Sequence, residues 1–148
     1  MPKARDLFVD TSGWAYHLVV SKDLLHDKVE ILMKEAIIQR RKFVTTNYII
    51  HELVALLTSS HFHLPRPKVI EAINKIKSDV SVEVVHIERT IDNRAWALLE
   101  ARLDKTWSLV DASSIIIMKN FGMTEALSTD HCFSQEGLIK LLDARSKS

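Results

Sequence analysis

The sequence has few of the residues on which several protein classes depend. It contains a single cysteine, Cys132, in 148 residues, so we expect no internal disulfide, no thiolate zinc cluster and a reducing compartment. Its three glycines, Gly13, Gly122 and Gly137, are too scattered for a phosphate-binding glycine-rich loop or a dinucleotide fingerprint. Enzymes that use such nucleotide-binding loops are therefore excluded.

Long hydrophobic runs are also absent. The longest unbroken apolar runs, residues 53–57 and 95–99, have five residues each, whereas a membrane-spanning helix needs about 20. The residues behind Lys3 and Arg5 do not form the apolar segment of a secretory signal. We therefore expect a protein without a membrane span that stays in the cytoplasm.

The composition is typical of one globular domain, predicted to span residues 1–148. Apolar residues make up 47% and charged residues 26% of the chain, which suffices to bury a sizeable core. The 20 basic and 19 acidic side chains leave a formal charge of +1.

Short β-forming runs alternate with helical repeats along the chain. Strands are predicted at residues 7–9, 43–45, 80–87, 126–127 and 138–142. Helices are predicted at residues 22–39, from an N-cap at Asn47 to about residue 60, and over 69–76, 91–99 and 111–121. This alternation predicts a mostly parallel sheet with helices on both faces, in which ligands bind beyond the carboxyl ends of the strands.

Acidic residues occur where such a sheet would place a site. Asp10 follows the first strand and Asp130 follows the strand near residue 127, although a helix cap or a turn would also explain them. Glu52 lies on the rim of the apolar face of its helix, where it can also reach solvent.

Asp111 is the most informative of these acids because apolar side chains surround its helix. It shares a face with Ile115 and Met118, and a buried ionised carboxylate requires partners or a metal. Ser108 and Asp111 also match the pattern of a helix start, in which Ser108 is the cap. Asp104 lies in the preceding connection, where surface solvation is the simpler explanation.

Four clustered carboxylates would require a compensating cation. Two unit charges about 4 Å apart repel by about 4 kcal/mol at an effective dielectric of about 20. Hard oxygen ligands favour Mg²⁺ or Mn²⁺. The formal net charge of the chain is +1. If the four acids contribute −4, the other residues carry +5, and such an excess of positive charge suits a polyanionic substrate.

Over almost the whole chain, these residues resemble the PIN-domain family of metal-dependent ribonucleases. The resemblance rests on residues 8–12, on Glu52, and on residues 104–112 and 128–133. Its most specific part combines Asp104, Trp107 and the pattern Ser108-x-x-Asp111-Ala112, which is similar to the toxins of VapBC toxin–antitoxin pairs.

The resemblance implies a three-layer α/β/α sandwich, Mg²⁺ or Mn²⁺, an RNA substrate, frequent homodimers and a small antitoxin that covers the site. It implies a catalytic and metal-binding quartet of Asp10, Glu52, Asp111 and Asp130. The implied supporting residues are Thr11, Ser12, Asp104, Ser108 and Thr129.

The predicted reaction is hydrolysis of RNA phosphodiester bonds by a metal-activated water, without a protein nucleophile. The alternative is a non-catalytic RNA- or protein-binding module on the same fold, which would bind RNA in EDTA and never cut it. A haloacid-dehalogenase-like phosphatase is excluded because Ser12 occupies the position of its second aspartate. A receiver domain is excluded because the predicted strand ending at Ile87 lacks a terminal aspartate.

Two aromatic or histidine-rich segments offer weaker signals. Residues 61–63, His-Phe-His, lie beside Pro65 and are expected to form a surface loop, since the spacing does not favour a zinc site. Trp14, Tyr16 and His17 could stack on RNA bases, but such residues are more often part of a core or a partner-binding surface.

Overall fold

The computed structural model describes residues 1–19 and 24–143. Its strands are β1 (Leu7–Val9), β2 (Phe43–Thr46), β3 (Val82–Val85), β4 (Glu125–Leu127) and β5 (Ile139–Lys140). Its helices are α1 (Thr11–Leu18), α2 (Leu24–Ile38), α3 (Asn47–Thr58), α4 (Arg66–Ser78), α5 (Arg89–Ala101), α6 (Leu109–Asn120) and α7 (Cys132–Gln135).

The five strands form one parallel sheet in the order β3-β2-β1-β4-β5. Helices α1 to α4 contact one another in one layer, and α5 packs on α6 in another. The connections from β1 to β2 and from β2 to β3 move along the sheet in one direction, and the connection from β3 to β4 moves in the opposite direction. Right-handed crossovers therefore place the two helical layers on opposite faces of the sheet.

The central strand β1 organises the core. Phe8 is aligned with Val44 of β2 on one side and with Ala126 of β4 on the other. Phe8 and Val9 have no exposed surface, because both faces of a central parallel strand are covered by helices. This burial explains the short apolar run in the sequence.

The direction in which successive strands are added to the sheet reverses after β3. After β1 the chain adds β2 and β3 on one side, and then it returns to place β4 on the other side of β1. A crevice opens beyond the carboxyl ends of strands at such a reversal. Asp10 and Ser128 are the residues that directly follow β1 and β4.

Several local predictions differ from the structure. No helix is predicted between the first strand and residue 22, but α1 spans Thr11–Leu18, and the short helix α7 is not predicted either. Thr46, not Asn47, caps α3, because its hydroxyl accepts a hydrogen bond from the amide of Ile49 at 3.1 Å. The side chain of Asn47 instead accepts one from the amide of Ile87 at 2.6 Å.

The remaining predicted elements are present with shifted ends. The first two residues of the helix predicted at 22–39 lie outside the described residues.

Trp14 is buried in the core and its indole N–H donates to the Thr45 hydroxyl at 3.1 Å, so it is not a base-stacking surface. Among the helices of residues 1–19 and 24–143, none has both the length and the hydropathy of a membrane span. The single domain over residues 1–148 stays a prediction.

Candidate active site

Asp10 lies beyond the carboxyl end of β1, with 5% of its surface exposed. It occupies the N-cap position of α1 but makes no side-chain capping hydrogen bond. Its Oδ2 instead accepts a hydrogen bond from the Ser128 hydroxyl at 2.8 Å. Burial raises the pKa of Asp10 from 3.8 to about 7, with smaller contributions from the carboxylates of Asp111 and Glu52.

Asp111 is held at the start of α6 by a capping box. The amide of Ser108 donates to Asp111 Oδ2 at 2.9 Å, and the amide of Asp111 donates to the Ser108 hydroxyl at 3.1 Å. Burial raises the pKa of Asp111 to about 6, and the carboxylate of Asp130 contributes to the increase. Asp111 thus takes part in the predicted helix cap and also lies near another acid, as predicted.

Asp130 follows β4 and faces Asp111. Its Oδ1 accepts a hydrogen bond from the amide of Cys132 at 3.0 Å, which fixes the turn before α7. One carboxylate oxygen from each of Asp111 and Asp130, together with the Cys132 sulfur, lie within 4.8 Å of one another. Two of the four predicted acids are therefore close enough to share one cation.

Glu52 reaches the same region from α3. The Thr11 hydroxyl donates a hydrogen bond to Glu52 Oε1, and this contact joins the beginning of α1 to the second turn of α3. The Glu52 carboxylate contributes to the raised pKa of Asp10. The four acids thus form a chain of interactions from Glu52 through Asp10 and Asp111 to Asp130.

Ser128 was not among the predicted site residues, yet it connects two of the acids. Its hydroxyl donates to Asp10 and accepts from the amide of Asp130 at 2.9 Å. The Ser12 hydroxyl donates to Ser128 Oγ at 3.3 Å and accepts from the amide of Thr129 at 3.0 Å. The signal in the sequence was a small polar residue directly after a buried strand at the reversal of strand order.

A second network holds the two ends of the site together. The Trp107 indole N–H donates to Gln135 Oε1 at 2.7 Å. The guanidinium of Arg102 lies 5.0 Å from the centre of the Trp107 ring and forms an ion pair of 2.9 Å with Glu136. These contacts tie the loop before Asp111 to the end of α7.

Asp104 is placed differently from the quartet. Its side chain is 61% exposed and pairs with Arg102 at 3.3 Å and with Lys105 at 3.5 Å. The hydrogen bond from Arg102 lowers its pKa. This environment agrees with surface solvation.

The quartet has no basic partner in the described part of the chain. Within residues 1–19 and 24–143, none of the four carboxylates forms an ion pair with a lysine or an arginine. The raised pKa values of Asp10 and Asp111 reflect burial and mutual repulsion of these acids. A divalent cation coordinated by oxygen ligands fits such a site.

No protein-family model matches the chain. It is 29% identical over 135 residues to the 23S rRNA-specific endonuclease VapC20 from two strains of Mycobacterium tuberculosis, an alignment that covers 91% of this chain and 97% of the relative. The crystal structure of M. tuberculosis VapC20, a Sarcin-Ricin loop cleaving toxin, matches with a TM-score of 0.75 and 26% identity, covering 92% of this chain and 98% of that chain.

The chain is a homologue of VapC20. The homology confirms the resemblance to PIN-domain ribonucleases and their toxin members, and the structural match confirms the α/β fold with a parallel sheet. The homology also supports the predicted class of enzyme, a nuclease, because VapC20 is named as a 23S rRNA-specific endonuclease. The acids of the quartet remain predictions as catalytic residues.

Proposed function

We propose that this VapC20 homologue is an endoribonuclease toxin that hydrolyses RNA with Mg²⁺ or Mn²⁺ held by Asp10, Glu52, Asp111 and Asp130. The observation that carries the proposal is the convergence of these acids at the reversal of strand order, where burial and repulsion raise the pKa of Asp10 to about 7 and of Asp111 to about 6. Such perturbed carboxyl groups in a crevice are typical of functional sites.

The donor set fits a hard divalent cation. Asp111 and Asp130 offer carboxylate oxygens close together, and Asp10 and Glu52 extend the set through their mutual electrostatic effect. A bound cation would activate a water molecule as the nucleophile and offset charge on the scissile phosphate. Cation binding would also favour the ionised forms of Asp10 and Asp111.

The residues around the acids orient them. Ser128 holds Oδ2 of Asp10, and Thr11 holds Oε1 of Glu52. Ser108 holds Oδ2 of Asp111 through its backbone amide. Each hydrogen bond restricts a carboxylate to one orientation, so that the remaining oxygens are positioned before a cation or RNA arrives.

The substrate and partners are proposed by analogy with VapC20. Because that relative acts on 23S rRNA, ribosomal RNA loops are the first substrates to test, and cleavage would take place in the cytoplasm. We further propose a small antitoxin as the partner that blocks the site, and a homodimer as the active form. Co-purification of a small protein that inhibits RNA cleavage would test the first proposal, and light scattering of the purified protein would test the second.

Removal of one carboxylate tests the catalytic proposal. The purified protein is incubated with total RNA in Mn²⁺ or in EDTA, and new RNA ends are mapped. We expect cleavage by the unmodified protein only with Mn²⁺, and a loss of at least about a hundredfold in Asp10→Asn, because one metal-binding and charge-compensating group is removed.

The control is Glu71→Gln, which alters a carboxylate on α4 that is 71% exposed and should leave cleavage unchanged. Circular dichroism and the melting temperature establish that both variants fold. Undiminished cleavage by folded Asp10→Asn would remove Asp10 from the mechanism. Equal RNA binding with and without EDTA, together with no cleavage, would favour the non-catalytic alternative.

A further inference from the structure

We propose that a cavity beside the acidic quartet binds one unstacked nucleobase of the RNA substrate. This proposal rests on the proposed ribonuclease function. The cavity has a volume of about 420 Å³, which lies within the range of small-ligand sites. Its lining includes Ser12, Tyr16, Leu56, His61, Phe62 and Thr129, and we call it the base pocket.

Three residues of the base pocket lie close along the chain to acids of the quartet. Ser12 lies two residues after Asp10, and its hydroxyl accepts a hydrogen bond from the amide of Thr129 at 3.0 Å. Thr129 precedes Asp130. On α3, Leu56 follows Glu52 by four residues, a rise of about 6 Å that places the two residues on the same side of the helix. A base in the pocket would therefore belong to a nucleotide next to the scissile phosphate.

The pocket presents aromatic surfaces from two elements. Tyr16 comes from α1, and His61 and Phe62 come from the loop between α3 and α4. The rings of His61 and Phe62 meet edge to face, with centroids 4.7 Å apart and an interplanar angle of 88°. Unstacked RNA bases are bound on aromatic side chains of this kind.

The loop that carries His61 and Phe62 is held by its own hydrogen bonds. The amide of His63 donates to the Ser59 carbonyl at 2.8 Å, and the amide of Leu64 donates to the Leu57 carbonyl at 3.1 Å. The Ser59 hydroxyl donates to the Leu56 carbonyl at 2.6 Å. An ordered loop loses little conformational entropy when a ligand binds.

The charge of the pocket selects the chemical class of the ligand. Its described lining contains no aspartate, glutamate, lysine or arginine, although four carboxylates lie beside it. A phosphate would lack a lysine or arginine partner in this described lining. A flat, neutral base with polar edges suits the aromatic walls and the hydroxyls of Ser12 and Thr129.

Base insertion can be measured without cleavage by using Asp10→Asn protein. Single-stranded RNA decamers carry 2-aminopurine at one position in turn, and fluorescence is recorded as protein is added. We expect a fluorescence change at one position. A second substitution in this protein, Phe62→Leu or His61→Ala, should abolish the fluorescence change. It should also weaken RNA binding about tenfold, which is within the range of base–aromatic stacking.

An abasic nucleotide provides the matching change on the RNA side. If the proposed nuclease cuts the decamer, replacing the responding nucleotide by an abasic one should lower kcat/KM about tenfold, mainly through KM. The same replacement should have little further effect on Phe62→Leu, because the interacting ring is already missing. Trp96→Ala is the control, since Trp96 lies on α5, is 56% exposed and does not line the pocket.

The outcomes separate the two proposals. A fluorescence response that persists while the unmodified protein cuts no RNA would support the base pocket and refute the ribonuclease. Two results together would overturn the base pocket. No position would give a fluorescence change, and His61→Ala and Phe62→Leu would have the same kcat/KM as the unmodified protein on both intact and abasic RNA. If the pocket binds a side chain of a partner protein and not a nucleobase, these two results are expected. His61 is exposed, so His61→Ala tests the proposal even if Phe62→Leu does not fold.

Discussion

At the scale of single residues, Ser128 determines how two of the acids are presented. It has no exposed surface, and its one hydroxyl contacts both Asp10 and the backbone of Asp130. Residues that orient metal-binding carboxylates commonly affect metal affinity by about 10- to 100-fold. In the proposed cation site, the affinity for the cation would therefore depend on this neutral side chain as well as on the charged ones.

Ser128→Ala should weaken Mn²⁺ binding about tenfold or more, because Asp10 Oδ2 and the amide of Asp130 both lose a partner. Isothermal titration calorimetry measures the affinity. The control is Ser134→Ala, which removes a hydroxyl that donates to the exposed carbonyl of His131 and should leave Mn²⁺ binding unchanged. Equal affinities in the two variants would contradict the role given to Ser128.

The titration of Asp10 predicts how stability depends on pH. Its pKa is about 7 in the folded protein and 3.8 ordinarily, so the folded state holds the proton more tightly than the unfolded state. This contribution to stability is complete below about pH 4 and is lost as the pH rises through about 7. Asp111, with a pKa of about 6, acts in the same direction.

The metal-free protein should therefore melt several degrees lower at pH 8 than at pH 5. Asp10→Asn should remove most of this difference, and Mn²⁺ should raise the melting temperature more at pH 8 than at pH 5 because it favours the ionised acids. Differential scanning calorimetry in EDTA and in Mn²⁺ gives both quantities. A pH dependence that is identical in Asp10→Asn would exclude Asp10 as its source.

At the scale of elements, the site depends on how closely α1 approaches β4. A β-carbon on Gly13 would collide with the backbone carbonyl oxygen of Leu127 and would lie 3.1 Å from a methyl group of Val9. A backbone atom at the end of a central strand cannot move aside easily. Glycine at this position lets α1 begin directly after Asp10 and bring Ser12 to Ser128.

Gly13→Ala should lower the free energy of unfolding by about 1–3 kcal/mol, as overpacking of a well-packed core does. Because the collision would push α1 away from β4, RNA cleavage should decrease as well. Urea denaturation and the RNA assay measure the two effects. A variant as stable and as active as the unmodified protein would show that α1 and β4 do not pack closely at Gly13.

At the scale of the whole molecule, the acidic site rests directly on the core, with Asp10 buried and the other three acids half-buried. Seven consecutive residues of α6, 112–118, are buried directly behind Asp111. Cys132 and Phe133 are buried at the other end of the site. Opening of the site should therefore require substantial loss of packing, so that site integrity and global stability are linked.

The single cysteine provides a probe of this link. Cys132 is 1% exposed, and burial raises the pKa of its thiol, with further contributions from Asp111 and Asp130. We expect reaction with a chromogenic disulfide reagent to be slow in native buffer and to accelerate in parallel with unfolding as urea is added. Rapid modification of the native protein would show that the site opens locally.

Local sequence patterns predicted much of the fold because each one has a local physical cause. The apolar run at Leu7–Val9 reports a strand covered on both faces, and the repeat that includes Val29 and Met33 reports a helix with one buried side. The ends of elements were less accurate. Thr46 and Asn47 are both suitable caps, and only the contact of Asn47 with Ile87, 40 residues away, distinguishes them.

The sequence by itself determined the alternation of strands and helices and the placement of acids at strand ends and at a buried helix start, since these features arise from periodicity, capping and burial. Only the tertiary structure decided which polar groups became neighbours. The hydrogen bond between Ser128 and Asp10 spans 118 positions, and that between Thr11 and Glu52 spans 41. Such contacts follow from strand order and helix packing, which also place Tyr16 and Phe62 around one cavity although no local pattern relates them.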